Sequence, residues 1–404
     1  MNRRDLLMGA AALASSHARA LEPRSAASRP RVLVVGAGIM GASIAYHLAR
    51  LGAEVVVIEK RWPGAGATQG AFATLISSHD EGPSHLNGLY GLAVLDWRRL
   101  QMELGSDLPI QWGGTLLWVP PGPGANDLRA ALSRIQRWGS PGRQIDPAEF
   151  SQLAPGVNPG PLGAAAFAPN EGTLDPQLAT NVLIARARRH GAVFRYPCEA
   201  LTVVIDGTRV TAVETTQGRV SADTVVIAAG EETDRLAQQA GATAPHTIAA
   251  GALAHSAPHR RVLGRVLVGP EVSLKQNPDG RIVTGLDYRP GARAEQTDTA
   301  YGEHLLEMAA RTVPATRGAR LERMTVGRVP IPKDGQPIIG FVATPSNLYL
   351  ALTMSGVTMA PILGRFAATE IMDRLEIDLL GPYRPARFSQ RPARINQTVD
   401  SHRV

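Results

Sequence analysis

The sequence contains a single cysteine, Cys198, in 404 residues. One thiol cannot form an internal disulfide, a C-x-x-C redox pair or a cysteine-based metal site, so the sequence excludes all three. The sequence also has no Ser-His-Asp arrangement and no H-E-x-x-H motif, and its ten histidines are dispersed. We therefore expect no bound metal and no catalysis that depends on a side-chain nucleophile.

Lysine is almost as rare, with Lys60, Lys275 and Lys333 as its only occurrences. The net charge of +7 therefore comes from arginines that are scattered along the chain. No cluster of them is typical of a nucleic-acid-binding surface. Long apolar runs are also missing, since no stretch approaches the roughly eighteen residues of a transmembrane helix. We expect neither a nucleic-acid partner nor a membrane span, while peripheral contact with a membrane stays open.

The amino-terminal segment favours an export signal. Arg3 and Arg4 precede a mild apolar run, and Ala18-Arg19-Ala20 has the small-x-small form of a cleavage site. Paired arginines in this position are typical of twin-arginine signals, which direct proteins out of the cytoplasm. We expect a signal peptide over residues 1–20, a linker over 21–30 and a periplasmic or otherwise exported protein. The alternative is a frayed basic tail.

The rest of the chain is organised around RVLVVGAGIMGASIAYHLARLGAEVVVIEK, residues 31–60. This stretch predicts a buried strand, a glycine turn, a helix and a second strand. Gly36, Gly38 and Gly41 stand at G-x-G-x-x-G spacing. Such glycines permit a tight turn, let a pyrophosphate approach the backbone and allow the helix to pack closely on the strand. Glu59 ends the second strand, where an acidic side chain accepts hydrogen bonds from ribose hydroxyls. The sequence therefore predicts a dinucleotide site, and this motif alone does not separate FAD from NAD.

Three later segments complete the pattern. The small-residue loop GAGATQGAFA follows the second strand, and TVVIAAG predicts another buried parallel strand that approaches the glycine turn. The hairpin VSLKQ-NPDG-RIVTG, residues 272–285, belongs to a different, antiparallel sheet. A helix is predicted over 90–104, with Leu92, Leu95 and Leu100 facing the core. The length of the chain suits two domains that share a large core.

These motifs, together with VPIPKDGQPIIG and NLYLALTMSGVTMAP, resemble the D-amino-acid oxidase-like family of FAD-dependent oxidoreductases. That family includes glycine oxidase, sarcosine oxidase and D-amino-acid dehydrogenases. The resemblance implies an α/β fold, in which a doubly wound, Rossmann-like FAD-binding domain carries an antiparallel-sheet substrate domain. The implied FAD-binding domain is discontinuous (31–110, 171–243 and 325–380), the substrate domain comprises 111–170 and 244–324, and a tail follows from 381 to 404.

The resemblance also implies which residues hold the cofactor. We expect non-covalent FAD, because the only cysteine lies near the adenosine end rather than near the flavin ring. A helix amino terminus at residues 355–358 would face the flavin, where reduced flavin carries negative charge; an ordinary helix cap at Ser355 is compatible with this. The implied cofactor residues are Gly36, Gly38, Ile39, Met40, Gly41, Glu59, Lys60, Gly66, Ala67, Thr68, Ala71, Ala200, Ala229, Gly230, Ser355, Gly356, Val357 and Thr358.

Substrate recognition departs from the family pattern. The family commonly has G-x-R-P before the last strand, whereas this chain has Gly327-Arg328-Val329-Pro330, with the arginine displaced by one residue. A one-residue shift on a strand moves a side chain to the opposite face. Arg328 is the first candidate for holding a substrate carboxylate, and a surface ion pair is its alternative. Lys275 and Tyr288, on or near the hairpin, are further candidates for substrate contact.

The sequence therefore predicts a flavoenzyme that oxidises the C–N bond of an amine or amino acid. Its substrate would be a D-amino acid, glycine, an N-methyl amino acid or a related amine, and O₂ or a quinone would reoxidise the flavin. Two alternatives stay open. One is a flavin-binding protein of a biosynthetic assembly without amino-acid oxidation, and the other is an NAD-dependent dehydrogenase.

Overall fold

The computed structural model describes residues 29–285 and 298–389. Its helices are α1 (Ile39–Arg50), α2 (Ser84–Leu104), α3 (Pro123–Arg137), α4 (Pro147–Leu153), α5 (Pro176–Arg189), α6 (Thr233–Gln239), α7 (Thr299–Thr312) and α8 (Gly356–Asp373). Its strands are β1 (Arg31–Val35), β2 (Glu54–Ile58), β3 (Thr74–Leu75), β4 (Thr115–Val119), β5 (Arg143–Ile145), β6 (Ala164–Ala168), β7 (Gly172–Thr173), β8 (Val193–Arg195), β9 (Ala200–Asp206), β10 (Arg209–Thr215), β11 (Gly218–Ser221), β12 (Thr224–Ile227), β13 (His246–Pro258), β14 (Val266–Val268), β15 (Ser273–Gln276), β16 (Arg281–Gly285), β17 (Leu321–Pro332), β18 (Ile338–Phe341) and β19 (Leu348–Leu352). Within these ranges, no helix combines the length and apolar character needed to cross a bilayer.

A six-stranded sheet of order β18-β19-β12-β1-β2-β8 forms the first domain. Its strands from β19 to β8 are parallel, and β18 is antiparallel at the edge. The predicted neighbours β1 and β12 pair directly, with Val34 beside Val226. The α/β, Rossmann-like architecture is therefore confirmed.

Different layers cover the two faces of this sheet because the side chains of β1 alternate between them. Val34 packs into a core with α1, α5 and α8, whereas Leu33 and Val35 face a core formed with α6 and the three-stranded sheet β11-β10-β9. Helix α1 is buried along most of its length. Its Ser43 hydroxyl donates to the carbonyl of Ala360 on α8 at 2.7 Å. The central strand is thus buried on both sides, as its continuous apolar run predicts.

The second domain is built on an eight-stranded sheet of order β17-β13-β16-β15-β14-β4-β6-β5. Leu116 and Trp118 of β4 face a core that includes Phe150, while Thr115 and Leu117 point to the opposite face. Most pairs in the sheet are antiparallel, but β4 and β14 run parallel. This sheet is the predicted substrate domain, and one of its faces lies over the first domain.

Three details of the predicted organisation are wrong. Strand β17 pairs with β13 along almost its whole length, so residues 325–332 belong to the eight-stranded sheet and not to the FAD-binding domain. Residues 381–389, the described part of the predicted tail, do not form a separate segment, because Tyr383 packs in the core of the first domain and is only 1 % exposed. Leu92 and Leu95 are exposed, whereas Trp97 is fully buried. Helix α2 turns its aromatic residues and alanine inward instead of those leucines. The predicted signal peptide (1–20) and all but the last two residues of the predicted linker (21–30) lie outside the described residues.

A buried carboxylate ties the carboxy-terminal segment to the sheet. Glu370 of α8 is fully buried and accepts hydrogen bonds from the Tyr349 hydroxyl at 2.8 Å and the amide of Ile377 at 2.7 Å. The Arg384 guanidinium completes the pair with two bonds, at 2.9 and 2.5 Å. Burial, with the Glu370 charge beside it, raises the pKa of Tyr349 well above its usual value. A buried carboxylate with this set of partners is stable only while the arginine is present.

Replacing Arg384 therefore tests this attachment. We expect Arg384→Met to lower the free energy of unfolding by about 3 kcal/mol, because it leaves a buried, unpaired carboxylate. Urea unfolding followed by circular dichroism measures the change. The exposed Arg219, which pairs loosely with Glu214 at 3.7 Å, is the control, and Arg219→Met should cost less than about 1 kcal/mol. Adding Glu370→Gln to Arg384→Met should restore part of the loss. Equal effects at positions 384 and 219 would contradict this account.

Candidate active site

A cavity of about 1440 Å³ lies between the carboxyl ends of β1 and β12 and the inner face of the eight-stranded sheet. Small-molecule sites usually measure roughly 300–1,000 Å³, so this cavity has room for a large ligand beside a small one. Its position outside the carboxyl ends of parallel strands is where ligands bind in open α/β sheets.

The glycine turn forms one wall because no side chain fills the space around it. Gly36 has φ +105°, and a Cβ there would lie 2.4 Å from the carbonyl oxygen of Ala228. Gly41 packs so closely that a Cβ would lie 2.0 Å from the carbonyl oxygen of Gly36. A Cβ at Gly38 would meet only the Thr68 hydroxyl, at 3.4 Å, so the space beside Gly38 belongs to the cavity. Helix α1 begins at this point, and its amino terminus favours a phosphate.

Glu59 is fixed at the end of β2 by the backbone. One carboxylate oxygen accepts from the amide of Ala37 at 3.0 Å, and the other from the amide of Arg61 at 2.9 Å. The side chain lines the cavity, and each of its oxygens keeps a further lone pair for a ribose hydroxyl. Lys60 lies next to it and pairs with Glu232 at 3.4 Å. The acidic position is therefore oriented before any ligand arrives.

The small-residue loop lies beneath β17. A 3₁₀ turn over Ala67–Gly70 brings Gly70 so close to the strand that a Cβ would lie 2.1 Å from the amide nitrogen of Gly327. The Thr68 hydroxyl accepts from the amide of Ile39, the first residue of α1, at 3.1 Å. The loop therefore connects the glycine turn to the second sheet and forms the floor of the cavity.

The amino terminus of α8 forms the far part of the cofactor end. The Ser355 hydroxyl does not cap the helix; it pairs instead with the Tyr90 hydroxyl at 2.5 Å. The Tyr90 ring stacks on His79 at 4.2 Å, and burial raises the pKa of Tyr90 to about 12. The Thr358 hydroxyl donates to the carbonyl of Thr74 at 3.0 Å. The first turn of α8 is thus held in place, and its dipole is directed into the cavity.

The eight-stranded sheet covers the other end with small side chains. Thr115 and Leu117 of β4, Ala166 and Ala168 of β6, and Ser273 of β15 share the face that lines the cavity. Glu171, which is 3 % exposed, closes this end. Among the described residues, no group of three or more His, Cys, Asp or Glu is placed to hold a metal ion. This end offers a compact compartment for a small molecule.

The predicted cofactor residues converge on this cavity. Gly41 is the exception, since it lies beneath the turn and supports the wall without forming it. The residues that line the cavity are Gly36, Gly38, Ile39, Met40, Glu59, Lys60, Gly66, Ala67, Thr68, Ala71, Ala200, Ala229, Gly230, Ser355, Gly356, Val357 and Thr358. A glycine cradle at one helix amino terminus and a second helix amino terminus farther along fit the pyrophosphate and the ring of FAD.

The predicted substrate residues do not converge. The Arg328 side chain is 50 % exposed at the edge of the cavity and pairs with Glu231 at 2.8 Å. Lys275 does not line the cavity; it is buried, and its Nζ donates to the carbonyl of Leu174 at 2.6 Å. Burial lowers the pKa of Lys275 to about 7. Lys275 shares a face of β15 with Ser273, which lines the cavity, so substrate contact by Lys275 stays a prediction. Tyr288 lies outside the described residues.

Sequence reasoning missed Tyr90, His79, Thr115 and Glu171, all of which line the cavity. None belongs to a motif, because the long-range pairing of strands and helices brings them together. The sequence gives one weak signal that Tyr90 and His79 meet. They stand eleven residues apart, on either side of a turn at Gly82-Pro83.

Gly38 offers a test that separates ligand binding from folding. Because the cavity leaves room for a side chain there, we expect Gly38→Val to fold normally and to retain less than a tenth of the wild-type FAD. Flavin absorbance per mole of purified protein and far-UV circular dichroism measure the two quantities.

Two control variants bracket this result. Gly88→Ala, where an added Cβ meets no other atom, should keep both flavin and fold. Gly41→Ala should lose both, because its Cβ would overlap the carbonyl of Gly36. A Gly38→Val protein with full flavin content would place the dinucleotide elsewhere.

Comparisons with known proteins agree with this geometry. A family model described as FAD dependent oxidoreductase matches residues 31–370. The glycine oxidase of Bacillus licheniformis is 27 % identical over 352 residues, which cover 84 % of this chain and 92 % of that protein. The mitochondrial dimethylglycine dehydrogenase of Mus musculus is 28 % identical over 203 residues, which cover 50 % of this chain. The match spans only 23 % of the length of that dehydrogenase.

A solved structure shows the same fold. The glycine oxidase of Geobacillus kaustophilus superimposes with a TM-score of 0.80 at 23 % identity, covering 89 % of this chain and 99 % of that one. The family match covers most of the chain, and the cavity has the walls that FAD requires. The chain therefore belongs to the FAD-dependent oxidoreductase family, with FAD as its cofactor.

Proposed function

We propose that this protein oxidises the C–N bond of an amine or amino acid to an imine, which water then hydrolyses. The observation that carries the proposal is a single cavity that joins the glycine cradle to a compact compartment beneath the eight-stranded sheet. The names of the relatives support it, since two are glycine oxidases and one is a dimethylglycine dehydrogenase. The FAD would be held non-covalently, with Cys198 near the adenosine end beside Ala200.

FAD supplies the two-electron acceptor, which takes a hydride from the carbon that bears the amine. The chain supplies orientation, electrostatics and exclusion of water. The amino terminus of α8 would hold the flavin end of the cofactor, and its partial positive charge would stabilise the negative charge of reduced flavin. The Tyr90 hydroxyl pairs with the Ser355 hydroxyl and so holds the residue that directly precedes α8. The small side chains of β4 and β6 leave room for the substrate above it.

The proton balance needs no side-chain nucleophile. The substrate carbon gives up a hydride, the amine nitrogen gives up a proton, and water then replaces nitrogen at the carbon. The reacting amine must be neutral, so the proton leaves before or during the hydride transfer. His79 lines the cavity, and burial lowers its pKa, so it is neutral near pH 7 and can accept a hydrogen bond. O₂ or a quinone would restore the oxidised cofactor.

We also propose that the protein is exported. Arg3-Arg4 and the small-x-small sequence at Ala18–Ala20 support a twin-arginine signal and a periplasmic location. Such a route suits a protein that acquires its cofactor before export. A fusion of residues 1–30 to a reporter that is active only after export tests this proposal, with Arg3-Arg4→Lys-Lys as the matched control.

Anaerobic bleaching of the flavin is the direct test of C–N oxidation. The purified yellow protein is mixed, without oxygen, with a panel of primary and N-methyl amines, glycine and D- and L-amino acids. We expect at least one amine or amino acid to abolish the flavin absorbance and to yield the corresponding carbonyl compound. Full absorbance with every member of the panel would refute the proposal.

Arg328 provides a second test. Its guanidinium is half exposed and paired with Glu231, and exposed pairs contribute about 0–1 kcal/mol. We therefore expect Arg328→Ala to change KM by less than about fivefold, and equally for an amino acid and its amide. Steady-state kinetics on the matched pair measures both values. If Arg328 holds a substrate carboxylate, the acid alone should lose about 10- to 150-fold in apparent affinity.

A further inference from the structure

The compartment beneath the eight-stranded sheet differs in charge from the cofactor end. The carboxylates that line it are Asp80, Glu81, Asp127 and Glu171. Among the described residues, every lysine and arginine that lines the cavity lies at the cofactor end, and the set comprises Lys60, Arg61, Arg235 and Arg328. Asp80 is partly neutralised by Arg134, which approaches it at 3.3 Å. Asp127 and Glu81 are exposed at the rim, whereas Glu171 is buried.

The Glu171 carboxylate is held in a fixed position at the inner end of this compartment. One of its oxygens accepts from the amides of Ser77 and Ser78, at 2.8 and 3.0 Å. Glu171 also precedes β7, which pairs with β3, so its backbone is anchored as well. Strand β3 carries Thr74, whose carbonyl accepts the bond from Thr358 at the start of α8. Glu171 therefore lies beside the segment that borders the flavin end.

A second polar group lies beside this carboxylate. Thr115 lines the same cavity and is 8 % exposed, yet its hydroxyl has no hydrogen-bond partner of normal geometry among the described residues. The amide of the preceding residue, Gly114, donates to the carbonyl of Glu171 at 3.0 Å, which places the two side chains close together. Burial raises the pKa of Glu171, while the nearby Thr115 hydroxyl and the two serine amides oppose this rise. The Thr115 hydroxyl therefore lies beside the Glu171 carboxylate, and its lone pairs are open to a ligand in the cavity.

We propose that Glu171 and Thr115 bind a cationic group on the substrate, so that the preferred substrate is an amine with a second positive charge rather than an α-amino acid. This inference rests on the proposed C–N oxidation and identifies its substrate class. The second oxygen of Glu171 accepts from the ammonium group, and Thr115 provides a further acceptor. A carboxylate in the same place would face the buried charge of Glu171 without an arginine to balance it. Val329 stands at the arginine position of the G-x-R-P pattern. It forms an apolar part of the wall and is 9 % exposed.

Three substrates of equal length test this assignment: 1,4-diaminobutane, 4-aminobutan-1-ol and 4-aminobutanoate. We expect the rate constant of anaerobic flavin reduction, divided by the apparent dissociation constant of the substrate, to fall in that order. Glu171→Gln should lower the value for the diamine by about 10- to 150-fold and the value for the amino alcohol by a clearly smaller factor. Glutamine retains one oxygen for the Ser77 and Ser78 amides, so the variant changes the charge and preserves the fold. The surface change Glu214→Gln is the matched control and should alter none of the three values.

A binding experiment separates this inference from the proposed reaction. Tetramethylammonium, which cannot be oxidised by C–H hydride loss next to a neutral amine, should perturb the flavin spectrum of the wild type. In Glu171→Gln the perturbation should need at least tenfold more of the salt. If no amine bleaches the flavin but tetramethylammonium still binds through Glu171, the proposed C–N oxidation is wrong and the proposed cation site is supported. A wild type that prefers 4-aminobutanoate, or equal losses on all three substrates in Glu171→Gln, would overturn the assignment.

Discussion

The close approach of three backbone segments at Gly36, Gly41 and Ala228 is the constraint on which the structure depends. A single Cβ at Gly36 or Gly41 would lie within 2.4 Å of a carbonyl oxygen. Because Gly36 and Gly41 have no side chains, α1 can begin directly above the ends of β1 and β12. The amino terminus of α1 then faces an open space instead of packed side chains. The cavity therefore originates in this contact, and the other elements determine its shape.

The second sheet converts this open space into an enclosed site. Gly70 and Gly327 pack backbone to backbone, so the loop after β2 is held against β17 without a gap. Arg328, which follows Gly327, lies at the rim and pairs with Glu231, while Val329 lines the wall. One residue of register on β17 thus decides whether the site presents a guanidinium or an apolar surface to the substrate. The proposed substrate preference follows from that register and from the buried carboxylate of Glu171.

The cofactor half of the site could be predicted from the sequence because its signals are local. Gly36, Gly38 and Glu59 lie within one strand–helix–strand unit, so their spacing along the chain indicates that they meet. The substrate half could not be predicted in this way. Thr115 and Glu171 meet through the pairing of distant strands, and no spacing in the sequence indicates it. The misassigned part of β17 has the same cause, since its pairing residues in β13 lie 72 to 86 positions earlier.

The central claim is that FAD binds across this cavity, with its flavin ring between the amino terminus of α8 and the inner face of the eight-stranded sheet. A crystal structure of the yellow, flavin-loaded protein tests it most directly. The account predicts the pyrophosphate at Gly38 and the start of α1, the ribose at Glu59, and the flavin ring beside Ser355–Thr358 with open space toward Glu171. A flavin ring at the Glu232 end of the cavity, or FAD bound outside the cavity, would contradict it.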